Sequence, residues 1–197
     1  MTKTRSVSFA PLKFLHIIYC SLFLATITLG ESGCSISSET GPAMPLDLGH
    51  KAPEILTETA SGNKMSLSQH KGSIVLVAFW DSGNMTARKA HPELQHIYNT
   101  YKDADFQDAK GFCVFSVALD TNRDAWLKAV EEDGITWPCQ TIDTDGWNAV
   151  SAKTYEVHYT PKYFLVDGEG NIVDRHVDIN TLDQLLASKL SRRSGRP

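Results

Sequence analysis

Residues 73–94 read SIVLVAFWDSGNMTARKAHPEL, and this stretch decides the fold of the chain. Residues 74–80 form an apolar run rich in β-branched and aromatic side chains, which predicts a strand covered on both faces. Turn-forming residues occupy positions 81–84, and helical spacing follows over residues 86–103. In an open α/β sheet, ligands bind where the carboxyl end of a strand meets the next helix. We therefore expect the functional site at the turn.

Six residues of this stretch match a known active-site segment in register: Phe79, Trp80, Ser82, Arg88, Pro92 and Leu94. The segment resembles that of the thioredoxin-like proteins of the bacterial cell envelope, the TlpA-like branch of the redoxin (alkyl hydroperoxide reductase/thiol-specific antioxidant) superfamily. The two cysteines of the family's Cys-x-x-Cys motif fall on Asn84 and Ala87 here. The peroxidatic cysteine of the peroxiredoxin branch belongs to the same turn, which contains no cysteine. The resemblance implies an active-site scaffold without its catalytic residues.

Further segments agree with this resemblance in order and spacing. Residues 48–53 carry the Gly-x-x-Ala-Pro pattern of the family's opening segment, and a hairpin signal follows them. Thr160-Pro161 matches the family's cis-proline loop, and residues 163–173 predict another hairpin. The implied fold class is α/β and thioredoxin-like: a central mixed β-sheet flanked by helices on both faces, with an N-terminal β-hairpin and a cis-Pro loop. The domain is expected to span residues 48–193.

Apolar spacing predicts the elements between these segments. Helices are expected over residues 121–134 and 147–157, and a short edge strand over residues 136–143. Asn180 is expected to cap a last helix over residues 181–193, with leucines on its apolar face. These elements supply the helices that cover the predicted sheet, and a short tail follows them.

Residues 1–33 predict an export signal segment outside the fold. Basic residues precede an apolar run of 16 residues, which as a helix would reach roughly 24 Å, short of the ~30 Å hydrocarbon core. Small residues then lead to Cys34, which resembles the lipidated cysteine of a bacterial lipobox, although Glu31 departs from that motif. Residues 34–47 predict a lipidated N-terminus and flexible tether, and residues 194–197 a tail. An ordinary cleaved signal and an uncleaved anchor are the alternatives.

The net charge and the predicted export limit the kinds of partner that this protein can have. The net charge is −4 and the pI is about 5.9, without the basic stripe of a nucleic-acid-binding protein. No cofactor is expected. The predicted location is the bacterial cell envelope, facing the periplasm, with membrane contact through an N-terminal lipid anchor. The predicted partner is an envelope protein or peptide.

The cysteines outside the turn offer limited thiol chemistry. Cys113 is expected in a buried strand, where cysteines are usually inert. Cys139 is expected at the start of an edge strand, reachable by solvent, and is the possible non-standard thiol. If Asp120 and Asp143 end neighbouring strands level with each other, the two cysteines are offset by roughly 10 Å at ~3.3 Å per residue. That offset is too large for a disulfide.

Asn84 has two interpretations. Asn is among the best N-cap residues, so its role is structural if its side chain accepts from the first turn of the helix. Alternatively, Asn84 and the neighbouring amides bind a peptide carbonyl or an anion. In the family, the cis-proline loop packs against this turn and offers backbone groups to a bound peptide. The resemblance therefore implies a binding surface made of Trp80, Asn84, Tyr159, Thr160 and Pro161.

The seven histidines show no metal-ligand spacing, and no metal is expected. His91 and His96 are five residues apart on one predicted helix, roughly 140° around its axis, so they do not share a face. His158, beside the predicted cis-proline loop, is the histidine nearest to the candidate site.

Three functions remain open. The first is an envelope-tethered thioredoxin-fold module that has lost catalysis at the usual site and binds a peptide or protein. The second is a thiol-disulfide oxidoreductase or peroxiredoxin-like antioxidant enzyme of the family that uses Cys139 or a partner's cysteine. The third is a purely structural domain of an envelope assembly.

Overall fold

The computed structural model describes residues 46–191. Its strands are β1 (Leu56–Thr59), β2 (Lys64–Ser66), β3 (Ile74–Trp80), β4 (Phe112–Ala118), β5 (Gln140–Ile142), β6 (Lys162–Val166) and β7 (Ile172–Asp174). Its α-helices are α1 (Met85–Tyr101), α2 (Arg123–Glu132), α3 (Val150–Thr154) and α4 (Ile179–Lys189), and short 3-10 helices lie at Leu67–His70 and Gly146–Asn148.

The strands form one mixed sheet in the order β2-β1-β5-β4-β3-β6-β7. Strand β3 lies near its centre, parallel to β4 from Ile74 beside Phe112 to Trp80 beside Ala118. On its other side β3 pairs antiparallel with β6. The N-terminal hairpin β1-β2 joins the sheet through β5. This arrangement confirms the predicted thioredoxin-like fold with its mixed sheet and N-terminal hairpin.

One face of the sheet is covered by the short helices. Val75, Val77 and Phe79 of β3 point into this layer, together with Tyr155 and Phe164. Alternate residues of a strand point to opposite faces, so the three odd-numbered residues of β3 all lie on the same side of the sheet. The Phe79 ring lies 5.3 Å from the Tyr155 ring and 6.2 Å from the Phe164 ring, measured between centroids.

The longer helices cover the opposite face. Even-numbered residues of β3 such as Leu76 meet Leu94 and Ile97 of α1 and Leu182 and Leu186 of α4. All seven residues of β3 are buried, as are all seven of β4. The continuous apolar runs in the sequence therefore correspond to strands covered on both faces, as predicted.

The structure corrects the predicted edge strand over residues 136–143. Strand β5 has three residues and lies inside the sheet, between β4 and β1. Glu58 of the N-terminal hairpin pairs with Ile142, which covers the edge that β5 would otherwise expose. The sequence indicates a hairpin but does not say which strand that hairpin will join.

Two predicted helices also differ from those observed. The last helix begins after Asp178, whose side chain accepts the amide of Asn180, so Asn180 lies in the first turn and is not the cap. The helix predicted over residues 147–157 is a 3-10 turn followed by the five-residue α3. Val150, the first residue of α3, is 77% exposed.

The predicted export segment 1–33, the predicted tail 194–197 and tether residues 34–45 lie outside the described residues. Leu46, at the end of the predicted tether, is buried in the core. Among residues 46–191, no helix combines the length and the apolar character needed to cross a bilayer.

Candidate functional site

Asn84 occupies the first cysteine position of the family motif and caps α1. Its side-chain oxygen accepts the backbone amides of Thr86 at 2.9 Å and Ala87 at 3.3 Å. These are two of the amides that an α-helix leaves without internal partners at its N-terminus. The capping interpretation of Asn84 is therefore confirmed, and the helix N-terminus that would stabilise a thiolate is satisfied by an amide oxygen.

The same side chain ties the turn to the loop before β6. Asn84 Nδ2 donates to the carbonyl oxygen of Thr160 at 2.8 Å and to Thr160 Oγ1 at 3.0 Å. The Thr160 hydroxyl in turn donates to the carboxylate of Asp81. The Thr160-Pro161 peptide bond is cis, as the resemblance implies. The predicted packing of the cis-proline loop against the turn is thus present and runs through Asn84.

The other side of the turn is fixed by Asp120, which follows β4. Ser82 donates to its carboxylate through the backbone amide at 3.0 Å and through Oγ at 2.6 Å. Burial raises the pKa of Asp120, against the lowering effect of the two Ser82 hydrogen bonds. Asp120 therefore acts on the turn as an acceptor that closes it against the end of the neighbouring strand.

Trp80 does not belong to the binding surface, which corrects its predicted role. The side chain is 1% exposed and its Nε1 donates to Ser116 Oγ at 2.8 Å beneath the turn. Ala87, at the second cysteine position, is fully buried. A large aromatic residue at the end of the central strand serves the core here, because the helix α1 covers it.

A buried charge network lies below the turn. Asp133, at the end of α2, accepts from Arg88 Nη2 at 2.6 Å and from Arg88 Nε at 3.0 Å. His91 Nδ1 lies 2.7 Å from the other oxygen of the same carboxylate, and its ring contacts Trp80 at 4.5 Å between centroids. Burial lowers the pKa of His91. His91 is accordingly a satisfied core histidine that offers no free base to the turn.

An open groove of about 690 Å³ lies above the turn, lined by Asp81, Gly83, Asn84, Met85, Trp147, His158, Tyr159 and Thr160. Three predicted binding residues, Asn84, Tyr159 and Thr160, are among them, whereas Pro161 and Trp80 are not. Met85 and Trp147 were missed by sequence reasoning. The sequence does carry a signal for them, namely large apolar residues beside turn clusters.

The rim of this groove is apolar and exposed to solvent. Met85 and Tyr159 are each 59% exposed, and Trp147 is 48% exposed. They account for three of the seven exposed large hydrophobic residues in the part of the chain that the structure describes. The other exposed large hydrophobic residues do not line this groove.

A second group of chemically active side chains lies far from the turn. Cys113 Sγ is 3.1 Å from Cys139 Sγ, which is 3.6 Å from His70 Nε2. Sequence reasoning placed the two cysteines too far apart and did not consider His70. Both cysteines are free thiols in the structure. The cysteines are 9% and 3% exposed, so the expectation that solvent reaches Cys139 is wrong.

The register of the sheet explains the error. Ser116 pairs with Gln140, so Cys139 is level with Phe115 and only two residues out of level with Cys113. The sequence estimate instead took Asp120 and Asp143 as level, which gives an offset of three residues. An even offset also places both side chains on the same face of the sheet, which brings the sulfur atoms together.

Similarity to known proteins agrees with the fold. The sequence pattern of the Redoxin family matches residues 47–187. The thiol-disulfide oxidoreductase ResA of Bacillus anthracis is 27% identical over 140 residues, which cover 71% of this chain and 75% of that protein. The thioredoxin-like protein YneN of Bacillus subtilis is 28% identical over 137 residues, covering 70% and 75% respectively.

Solved structures of thiol-disulfide proteins are similar to this chain as well. The thioredoxin domain of a thiol-disulfide oxidoreductase from Bacteroides vulgatus is 33% identical, with a TM-score of 0.65, over 73% of this chain and 98% of that one. A thiol:disulfide interchange protein from Bacteroides sp. is also 33% identical, with a TM-score of 0.66, over 76% and 95%. This chain therefore belongs to the Redoxin family and is a thioredoxin-fold protein similar to thiol-disulfide oxidoreductases.

Proposed function

We propose that this protein is an exported, membrane-tethered thioredoxin-fold module that is redox-inactive at the standard site and binds an extended peptide or protein segment in the groove above the turn. The observation that carries the proposal is the apolar rim of Met85, Trp147 and Tyr159 around a groove that holds no cysteine. We call this set of residues the groove rim.

The loss of redox chemistry follows from the residues at the turn. Thiol–disulfide exchange needs a thiolate that attacks and a second thiol that resolves the mixed disulfide. Asn84 and Ala87 supply neither, and the Asn84 side chain already satisfies the amides that would stabilise a thiolate. The thiol of Cys139 does not replace them, because its 3% exposure keeps a protein disulfide away from the sulfur.

The groove has the composition of a recognition site. Tyr and Trp are enriched among the residues that dominate binding energies, and Met adapts to partners of irregular shape. Polar groups inside the groove include the Asp81 carboxylate, which accepts from Thr160, and the side chain of His158. A segment with apolar side chains at alternating positions would meet the rim residues while its backbone faces the polar floor.

Tethering rests on the sequence that precedes the domain. The basic residues, the apolar run and Cys34 favour an exported chain with a lipid on that cysteine, and residues 34–47 give the domain reach from the membrane surface. The proposed location is accordingly the bacterial cell envelope, on the periplasmic side. A partner held near the same membrane would meet the groove at a raised effective concentration.

The binding proposal is tested with a displayed library of random peptides selected on the full chain in detergent. Selected peptides are then titrated calorimetrically against the parent, a Trp147→Ser/Tyr159→Ser variant and a Leu56→Ser control. Leu56 is 63% exposed and does not line the groove, so its substitution matches the loss of apolar surface. We expect the double variant to bind at least tenfold more weakly, about 1.4 kcal/mol, and the control to bind like the parent.

Equal loss of affinity in the control and the double variant would mean that binding is unspecific and apolar. Unchanged affinity in the double variant would remove the groove rim as the binding surface. Either result contradicts the proposed function, and the second would favour a purely structural domain.

A further inference from the structure

We propose that His70, Cys113 and Cys139 bind one thiophilic metal ion, Zn²⁺, inside the protein. The two sulfur atoms are 3.1 Å apart, and Cys139 Sγ is 3.6 Å from His70 Nε2. The potential ligand atoms of all three residues lie within 4.8 Å of one another. We call these three residues the thiol cluster. It is separate from the groove and does not depend on the proposed peptide binding.

The distances fit a tetrahedral zinc site. With Zn–S near 2.3 Å and Zn–N near 2.05 Å, a tetrahedral site has S···N edges of about 3.6 Å and S···S edges of about 3.8 Å. The Cys139–His70 distance of 3.6 Å already has the first value. The Cys113–Cys139 distance of 3.1 Å must widen by roughly 0.7 Å, which small χ1 rotations supply. Thiolate and imidazole are the ligands that Zn²⁺ prefers in such sites.

The sheet geometry disfavours a disulfide between the same cysteines. The amide of Ser116 donates to the carbonyl of Cys139 at 2.9 Å, so the parallel ladder of β4 and β5 extends to Cys139. Cys113 and Cys139 are then diagonal neighbours, two residues out of level on adjacent strands. A strand spacing of ~4.8 Å and an offset of ~6.6 Å place their Cα atoms roughly 8 Å apart. A disulfide bridges at most about 7 Å without backbone movement, whereas a metal ion between the sulfurs spans more.

Charge balance in the interior selects a divalent ion. Cys113 and Cys139 lie in an apolar layer with Val75 and Phe115, where two unpaired thiolates would be costly. One Zn²⁺ neutralises two thiolates, while a monovalent ion would leave one buried negative charge.

A cavity borders the thiol cluster at His70. His70 lines this cavity of about 220 Å³ together with Leu67, Val75 and Lys71, whereas neither cysteine does. The cavity is large enough for a water molecule, and three protein ligands with one water make a complete zinc shell. The His70 ring is held edge-on against Phe115, with 5.6 Å between centroids. The histidine is thus oriented by packing before any ion arrives.

The ion would join three elements that are distant in sequence. His70 ends the 3-10 helix before β3, Cys113 lies in β4, and Cys139 precedes β5. Because a metal site forms in the folded state and not in the unfolded chain, binding stabilises the fold. Because both sulfurs are buried, the site has no position open to a large substrate.

The test uses the full chain in detergent, reduced, stripped with a chelator and kept free of oxygen. Co²⁺ is titrated as a spectroscopic probe and displaced with Zn²⁺, whose affinity is read by competition. The cluster variants are Cys113→Ser, Cys139→Ser and His70→Gln. The matched controls are His50→Gln and His96→Gln, each of which removes an exposed histidine outside the cluster.

We expect one equivalent of Co²⁺, with thiolate-to-cobalt charge-transfer bands and tetrahedral d–d bands. Each cluster variant is expected to lose at least about a hundredfold in zinc affinity, close to 2.7 kcal/mol, and the controls to match the parent. X-ray absorption of the zinc-loaded parent needs no variant to fold: two sulfur ligands near 2.3 Å and one imidazole nitrogen support the proposal.

Several results would overturn the proposed zinc site. They are a parent without stoichiometric cobalt or zinc binding, a zinc shell without two sulfurs, and a His96→Gln variant as impaired as the cluster variants. A Cys113–Cys139 disulfide in protein isolated without reductant, found by peptide mapping, would also overturn it. None of these outcomes bears on the groove, so failure here is distinguishable from failure of the peptide-binding proposal.

Discussion

The two ends of the central strands differ in what this sequence has kept. At the carboxyl end of β3, the helix N-terminus and the cis-proline loop are in place, but Asn84 and Ala87 carry no sulfur. Toward the amino end, Cys113 and Cys139 lie with their sulfurs in contact, but both are buried. One region has the geometry of a thiol-exchange site without thiols, and the other has thiols without that geometry.

This difference shows that scaffold and nucleophile are separable parts of a thioredoxin site. A helix N-terminus favours a thiolate because its free amides and its dipole stabilise negative charge. Here the oxygen of Asn84 uses those amides, and its nitrogen holds the Thr160 loop. Within residues 46–191, the turn is held by hydrogen bonds of Asn84, whereas the sulfur atoms of both cysteines lie in the interior.

The largest expected effect is a gain of activity from Asn84→Cys/Ala87→Cys. Thiols at these positions would lie at the N-terminus of α1, where the thiolate is stabilised. We expect disulfide reductase turnover with dithiothreitol to rise from the buffer background to at least about a hundredfold above it, a small part of usual enzymatic accelerations. The parent protein should show no turnover above the buffer background.

The matched control for this gain is Asn84→Ser/Ala87→Ser, which replaces each sulfur atom by an oxygen atom, and whose first serine can still cap α1. It should remain at background. A parent that turns over, and loses turnover in Cys139→Ser, would contradict the separation of the two regions. It would make the protein an enzyme with a relocated thiol.

A stability effect of about 2–3 kcal/mol is expected from Asp133→Asn, because the change weakens charge-assisted hydrogen bonds to Arg88 and His91 below the turn. The measurement is the free energy of unfolding in urea. Glu132→Gln is the control, since Glu132 binds the same Arg88 at 2.9 Å but is 48% exposed. Its loss should be below about 0.5 kcal/mol. Equal losses would mean that burial of the carboxylate is unimportant.

A smaller loss of stability is expected from Asn84→Ala, for which Asn122→Ala is a built-in comparison. Both residues cap helices by accepting two amides, but only Asn84 also donates to Thr160. Loss of a cap costs about 1 kcal/mol, and loss of the bonds to Thr160 adds about 1 kcal/mol. Urea unfolding should therefore rank Asn84→Ala as the more damaging change. Equal losses would show that the bond to Thr160 contributes nothing.

The sequence determined the fold and the turn because local patterns and spacing carry them. The apolar runs of β3 and β4, the cap at Asn84 and the cis Thr160-Pro161 bond are local features, and each is present in the structure. The family match over residues 47–187 extends this agreement to most of the domain.

The features that the sequence did not predict depend on the pairing of strands and on packing between distant segments. The contact of Cys113 with Cys139 follows from a register of β4 and β5 that no local pattern specifies. Trp80 and Trp147 illustrate packing: the first is buried and the second is 48% exposed, although both are tryptophans beside turns. What decides between them is whether a helix covers the side chain, which is a tertiary property.

The smallest expected effect is a pH dependence that arises from His91. Burial lowers the pKa of His91 in the folded state, while in the unfolded chain it lies near 6.5. Below that value the unfolded chain binds the proton more readily, so stability falls as the pH falls. We expect the free energy of unfolding in urea to decrease between about pH 7.5 and about pH 5.5, a range that brackets the ordinary histidine pKa.

The decrease should be smaller in His91→Gln, which lacks the titrating ring, and unchanged in His96→Gln, which removes an exposed histidine from the same helix. Identical pH dependence in the parent and both variants would show that folding does not shift the pKa of His91. A decrease that is larger in His91→Gln than in the parent would instead show that folding raises this pKa, as an ion pair between protonated His91 and Asp133 across their 2.7 Å contact would do. The comparison thus decides whether the network below the turn contains one ion pair, between Arg88 and Asp133, or also a second one, between His91 and Asp133.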